Sequence, residues 1–180
     1  MTGNTDTTNI TDIGKLATNV ITLAKDKGVY LTTAESCTGG MLAAALTDIA
    51  GASQVFSGGF ITYANAAKIN VLGVPQGILA QYGAVSGETA KAMAEGAHRR
   101  MQDMLDDPPS PPVCVSLAIT GIAGPTGGTN DKPVGLVWFG LAMTGKDTEI
   151  ESQRFTGGRD AIRTASVHHA LRMLVSALAG

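Results

Sequence analysis

VYLTTAESCTGG, residues 29–40, predicts a buried strand followed by a tight turn. Residues 29–34 are rich in β-forming side chains, and the paired glycines let the backbone turn sharply or approach a ligand closely. Before this stretch, apolar residues recur at helical spacing and predict a helix over residues 12–27. A second apolar helical face follows over residues 41–49. This order of helix, strand, turn and helix is typical of an α/β fold.

The remainder of the chain continues the alternation. Asn65 is predicted to cap a short helix, and Ser86 to cap a long one. Further strands are predicted over 55–63, 113–120, 134–143 and 149–155, and further helices over 75–82 and after 157–160. We therefore expect one three-layer α/β/α domain with a mixed sheet over residues 13–180. Residues 1–12 are expected to form a flexible N-terminal tail, and the proline-rich segment 106–112 a surface loop.

Composition excludes several classes of function. The 180 residues carry a net charge of −2 and no basic block, so nucleic acid is not an expected partner. No apolar run approaches the roughly 20 residues of a membrane span. The two cysteines form no disulfide framework, and no secretory signal opens the chain, so we expect a cytoplasmic protein. No spacing of histidine, cysteine and carboxylate residues predicts a metal site, and no cofactor is expected.

Two glycine-rich loops, at 35–40 and 121–128, each follow an apolar strand. Ligands bind outside the carboxyl ends of strands in open α/β sheets. The first loop runs into a helix, whose free N–H groups favour an anion or an oxyanion. Ser36 is therefore a candidate nucleophile, although a helix cap explains its position equally well. Cys37 is the alternative nucleophile, but its side chain should point away from that of Ser36, and we favour a buried structural role.

A serine nucleophile requires a base. The three histidines lie within predicted helices and are poor candidates. Lys68 is the best one, because it follows a strand-to-helix turn and not a charged face; a solvated surface position is the alternative. A lysine acts as a base only when burial or a neighbouring cation lowers its pKa. Tyr63, five residues earlier, is placed to relay or orient the proton.

Several motifs together resemble one family, the C-terminal domain of competence/damage-inducible protein A (CinA), over about residues 13–178. The motifs are TAESCTGG at 33–40, GFITYANAAK at 59–68, YGAVS at 82–86, ITGIAGP at 119–125 and KPVG at 132–135. The resemblance implies a stand-alone amidase that converts nicotinamide mononucleotide to nicotinate mononucleotide and ammonia without a metal. It also implies a homo-oligomer. Larger members of the family carry an additional N-terminal domain.

The resemblance implies the catalytic set Ser36, Tyr63 and Lys68. Substrate contacts are expected from both loops and from an arginine before the last helix, namely Glu35, Thr38, Gly39, Gly40, Thr120, Gly121, Ile122, Ala123, Gly124 and Arg159. Which loop holds the phosphate and which the oxyanion stays open. Two other functions also stay open: a non-catalytic nucleotide-binding regulatory module, and an amidase of another small amide.

Overall fold

A computed structural model describes residues 6–105 and 112–180 of the chain. The helices are α1 (Asp6–Lys27), α2 (Met41–Thr47), α3 (Asn65–Leu72), α4 (Gln76–Tyr82), α5 (Gly87–Met104) and α6 (Arg159–Ala179). The strands are β1 (Tyr30–Glu35), β2 (Phe56–Ile61), β3 (Cys114–Gly121), β4 (Leu136–Met143) and β5 (Glu149–Arg154). A single 3-10 turn, Ala52–Gln54, precedes β2.

The five strands form one mixed sheet in the order β2-β1-β3-β4-β5. The strand β1 is parallel to both of its neighbours, β2 and β3. The remaining pairs, β3 with β4 and β4 with β5, are antiparallel. The carboxyl ends of β1, β2 and β3 therefore meet at one edge of the sheet, which is where the two glycine-rich loops begin.

Helices cover both faces of this sheet. On one face, α1, α2 and α6 enclose the larger apolar core, which includes Ile21, Leu42 and Leu171. On the other face, α5 and α3 pack on the small residues Ala34 and Ala118. Such small side chains let α5 lie close to the sheet. The predicted three-layer α/β/α architecture with a mixed sheet is confirmed.

Most element boundaries agree with the sequence to within two residues, but the first helix does not. It begins at Asp6, six residues earlier than predicted, so the segment expected to be a flexible tail is helical from that point. Residues 1–5 and most of the predicted proline-rich loop, 106–111, lie outside the described residues. In the described part of the chain, no helix has the length and apolar character needed to cross a membrane.

The two predicted helix caps have different outcomes. The Ser86 hydroxyl oxygen accepts a hydrogen bond from the Thr89 N–H at 3.1 Å, which confirms the cap of α5. The prediction that Asn65 caps α3 is wrong. The capping position is Ala64, and no side chain bonds the first turn. The N–H of Lys68 instead bonds the Ala64 carbonyl, so the helix starts one residue earlier than an Asn65 cap requires.

Candidate active site

A cavity of about 260 Å³ lies at the carboxyl ends of β1 and β3. It is lined by three parts of the chain, the turn after β1, the segment 63–85 and the glycine-rich loop with the start of α6. The lining residues are Ser36, Cys37, Tyr63, Lys68, Ala84, Val85, Thr120, Gly121, Ile122, Ala123, Gly124, Thr126, Gly127 and Arg159. None of these is an acid, and two are cations, so the described lining favours an anionic ligand.

Ser36 and Lys68 meet in this cavity. The Lys68 Nζ lies 3.0 Å from the Ser36 Oγ, although the residues are 32 positions apart. Ser36 directly follows β1, and Lys68 lies in α3, the helix after β2. Because β1 and β2 are parallel neighbours, their carboxyl ends bring these two residues together. Lys68 is 1% exposed and Ser36 is 8% exposed. A nucleophile and a base within hydrogen-bond reach, shielded from water, are the minimum apparatus for covalent catalysis.

Burial gives Lys68 the properties of a base. It lowers the pKa of the ammonium from 10.5 to about 8, because the charged form loses its hydration. The Nζ also lies 2.7 Å from the Thr62 carbonyl oxygen and 3.3 Å from that of Tyr63. A neutral amine has two N–H groups, which these carbonyls accept, and one lone pair, which is left for the Ser36 hydroxyl. The two carbonyls therefore leave the lone pair of a neutral Lys68 directed at the Ser36 hydroxyl.

Tyr63 occupies a different place from the one expected of a proton relay. Its main-chain carbonyl contacts Lys68, but its phenol oxygen accepts a hydrogen bond from Arg159 at 3.4 Å. The side chain is 63% exposed at the mouth of the cavity. Since Lys68 contacts Ser36 directly, proton transfer between them requires no relay.

Glu35 lies behind the site and not in its wall. Its carboxylate accepts hydrogen bonds from the N–H groups of Gly40, Leu42 and Ala43 at 3.0, 3.1 and 2.8 Å. The N-terminus of α2 is therefore already occupied by an anion of the protein itself. The N–H of Gly40 is engaged by Glu35, and the substrate contact expected of Gly40 stays a prediction. Thr38 and Gly39 likewise do not line the cavity.

Cys37 is a buried thiol next to Ser36. It is 7% exposed, and burial raises its pKa to about 11. The thiol is therefore protonated at neutral pH and a weak nucleophile. Cys37 lines the same cavity as Ser36, and the structural role expected of it stays a prediction.

The glycine-rich loop supplies unpaired N–H groups to the cavity. Within the described residues, the N–H groups of Ala123, Gly124, Thr126 and Gly127 donate to no backbone carbonyl. The glycines at 124 and 127 have φ values of 75° and 88°, a left-handed conformation that glycine adopts without strain. Arg159 fixes this loop by donating to the Gly124 carbonyl oxygen at 2.9 Å.

The family model for the CinA C-terminal domain matches residues 13–178. The chain belongs to the CinA C-terminal domain family. A CinA-like protein of Geobacter sulfurreducens is 48% identical over 158 residues, which are 87% of this chain and 35% of that protein. Nicotinamide-nucleotide amidohydrolase PncC of Enterobacter agglomerans is 44% identical over 161 residues, which are 88% of this chain and 90% of that protein.

This CinA domain thus spans about a third of the longer relatives and nearly all of a short one. Solved structures agree with the fold. The competence/damage inducible protein CihA of Agrobacterium tumefaciens gives a TM-score of 0.84 at 44% identity, covering 94% of this chain and 96% of that one. A CinA superfamily protein of Escherichia coli gives 0.81 at 35% identity, covering 98% and 94%.

Sequence reasoning did not identify three groups around the site of this CinA domain. The Thr62 carbonyl is a backbone group, and no side-chain pattern reveals it. Ala84 and Val85 line the cavity because the Thr120 hydroxyl donates to the Ala84 carbonyl at 2.6 Å. Arg163 donates to two carbonyls of the turn after Ser36. The sequence does show that Arg163 lies four residues after Arg159, a spacing that places both arginines on the same face of α6.

No metal is implied by the described side chains. Within residues 6–105 and 112–180, no group of three or more histidine, cysteine or carboxylate side chains is placed to hold an ion.

Proposed function

We propose that this CinA domain is an amidohydrolase that converts nicotinamide mononucleotide to nicotinate mononucleotide and ammonia. The 3.0 Å contact between a buried lysine and Ser36 carries the proposal. Within the described residues Lys68 makes no ion pair, which is unusual for a buried cation unless its neutral form is needed. The name of the relative from Enterobacter agglomerans supports this substrate.

The first half-reaction forms an ester. Neutral Lys68 takes the hydroxyl proton as the Ser36 Oγ attacks the carboxamide carbon. The tetrahedral intermediate collapses when Lys68 returns that proton to the amide nitrogen, the C–N bond breaks and ammonia leaves. The positively charged pyridinium ring withdraws electrons from the carboxamide and favours the attack.

The second half-reaction hydrolyses the ester and regenerates the Ser36 hydroxyl. Lys68 takes a proton from a water molecule, whose oxygen attacks the ester carbon. The C–O bond to Ser36 then breaks, and the proton returns to the serine oxygen. The products are nicotinate mononucleotide and the free enzyme, so a single base serves both steps.

We assign the two loops different tasks. Cys37, the residue after the nucleophile, lines the cavity, and its N–H donates to no carbonyl of the described chain. It is placed to hold the oxyanion. The unpaired N–H groups of residues 123–127 and the Arg159 guanidinium form a cationic end suited to the phosphate. Tyr63 holds Arg159 at the mouth, so Tyr63→Phe should raise KM more than it lowers kcat.

The test measures ammonia release from nicotinamide mononucleotide. Ser36→Ala should lower kcat by at least about 1000-fold, because the covalent route is lost. Cys37→Ala is the matched control, since it removes the neighbouring side chain and leaves the nucleophile; its kcat should stay within about threefold of wild type. Full activity of Ser36→Ala would overturn the serine assignment.

A substrate panel tests the identity of the amide. Nicotinamide and nicotinamide riboside share the reacting group and lack the phosphate. Both should show much lower kcat/KM than the mononucleotide if Arg159 and the loop N–H groups bind phosphate. Equal rates for all three would favour an amidase of another small amide. Binding of the mononucleotide without ammonia release would favour a regulatory binding module.

Two further properties are proposed from the family resemblance. We infer that the protein is cytoplasmic and forms a homo-oligomer. Fractionation of cells tests the first property. Sedimentation or size-exclusion chromatography of the purified protein tests the second, and a mass near 18.4 kDa would indicate a monomer.

A further inference from the structure

We propose that Arg163 is a positioning residue that orients and polarises the oxyanion donor of this enzyme through two peptide groups. The inference rests on the amidase function proposed above. Arg163 does not line the cavity, but its side chain is only 26% exposed and reaches back to the turn that carries Ser36. Its Nε donates to the Cys37 carbonyl at 3.2 Å, and its Nη2 donates to the Thr38 carbonyl at 2.8 Å.

The contact with Thr38 starts a chain of hydrogen bonds. In a planar trans peptide the C=O and the N–H point in opposite directions. The carbonyl of Thr38 shares its peptide with the N–H of Gly39, so holding one orients the other. The Gly39 N–H donates to the Ser36 carbonyl oxygen at 3.1 Å. That carbonyl shares its peptide with the N–H of Cys37, the group assigned to the oxyanion.

The chain therefore runs from a fixed positive charge, through two aligned peptide dipoles, to the Cys37 N–H. Hydrogen bonds in series polarise one another, so the guanidinium makes this N–H a better donor. It also holds the turn in one conformation before substrate binds. Preorganised donors are the largest single contribution in many reactions that form an oxyanion.

The local backbone fits this role. Gly39 has a φ of 62°, which only glycine adopts without strain, and this conformation brings its N–H onto the Ser36 carbonyl. A Cβ at Gly39 would lie 3.6 Å from the Arg163 guanidinium. The Arg163 guanidinium therefore packs directly against the turn at Gly39. Arg159, one helical turn earlier, fixes the second loop, so the start of α6 holds both loops of the cavity.

The experiment compares steady-state kinetics of Arg163→Ala, Arg163→Lys and wild type with nicotinamide mononucleotide. Removing one oxyanion donor costs ~100- to 1000-fold in kcat, and misorienting it should cost about 10- to 100-fold. KM should change less than threefold, because the residue does not line the cavity. Lysine keeps the charge but not the two-pronged fork, so Arg163→Lys should recover part of the loss.

Two further readouts separate this role from a loss of structure. The midpoint of the pH profile of kcat/KM should not move, because Lys68 and its contacts are unchanged. Asp160→Asn is the matched control, since Asp160 lies 4.0 Å from Arg163 and is solvent-exposed; it should keep wild-type kcat. If Arg163→Ala does not fold, Arg163→Lys decides the question by its kcat alone.

The outcomes are distinct. A kcat of Arg163→Lys and Arg163→Ala within twofold of wild type, with Ser36→Ala inactive, would overturn this inference and leave the amidase proposal intact. A loss expressed mainly in KM would also overturn it and indicate a substrate contact. Full activity of Ser36→Ala would overturn the assignment of Ser36 as the nucleophile, and no ammonia release by wild type would overturn the proposed function itself.

Discussion

The pH dependence of ammonia release tests the role of Lys68 directly. Lys68 must be neutral to accept the Ser36 proton, and burial lowers its pKa to about 8. About a tenth of the molecules then carry the neutral amine at pH 7, and about half at pH 8. We expect kcat/KM for nicotinamide mononucleotide to rise about fivefold from pH 7 to pH 8 and less than twofold from pH 8 to pH 10.

The assay should start at pH 7, because the substrate phosphate itself titrates near pH 6. Stopped-time measurement of ammonia over pH 7–10 in buffers of constant ionic strength gives the profile. An exposed lysine would instead give a rise of about tenfold for each pH unit up to pH 10. That result, or a flat profile, would refute the assignment of Lys68 as the base. The Cys37→Ala variant should reproduce the wild-type midpoint, which excludes titration of the thiol.

Three other predictions concern stability. The pKa of Lys68 is lower in the folded state, so the folded protein releases this proton at a lower pH than the unfolded chain. Between pH 7 and pH 10 the free energy of unfolding of wild type should therefore rise by about 2–3 kcal/mol relative to that of Lys68→Met. Urea unfolding at both pH values measures this difference, and an equal change for the two proteins would contradict it. Glu35→Gln leaves an amide facing N–H donors of α2 and should cost roughly 2–3 kcal/mol, seen as a lower melting temperature. Gly96→Ala places a Cβ against the Leu72 carbonyl and should lower the free energy of unfolding, measured in urea, by roughly 1–3 kcal/mol. Gly14→Ala is the control and should show no such loss, because a Cβ at Gly14 meets open space.

The alternation of strands and helices was predictable from the sequence because it depends on local periodicity. The strand before Ser36 is continuous in β-forming residues, and the paired glycines mark its turn. The same local signals fail at helix ends. Asn65 resembles a cap, yet the first N–H groups of α3 find no side-chain partner, because the chain enters the helix through an extended Ala64.

The candidate site was predictable only in part. The residue types of Ser36 and Lys68 suggested their chemistry, but their contact depends on the parallel pairing of β1 and β2, which no local pattern specifies. Tyr63 contacts Lys68 through its carbonyl and Arg159 through its phenol, which no sequence pattern specifies, and its catalytic role stays a prediction. Arg163 differs from the other arginines of α6 only through its tertiary contact with the turn after Ser36, which the sequence pattern does not show.

The position of Glu35 explains how a lysine can stay a base beside an acid. Glu35 and Lys68 both lie next to Ser36, and an ion pair between them would raise the lysine pKa and remove the base. The fold prevents this by giving the Glu35 carboxylate three peptide N–H groups at the start of α2. The acid is thereby satisfied without a cation, and Lys68 is left with two carbonyls that can accept its N–H groups but carry no full charge. The start of the short helix after Ser36 therefore holds an internal acid, and in the proposed mechanism the oxyanion is held instead at the Cys37 N–H.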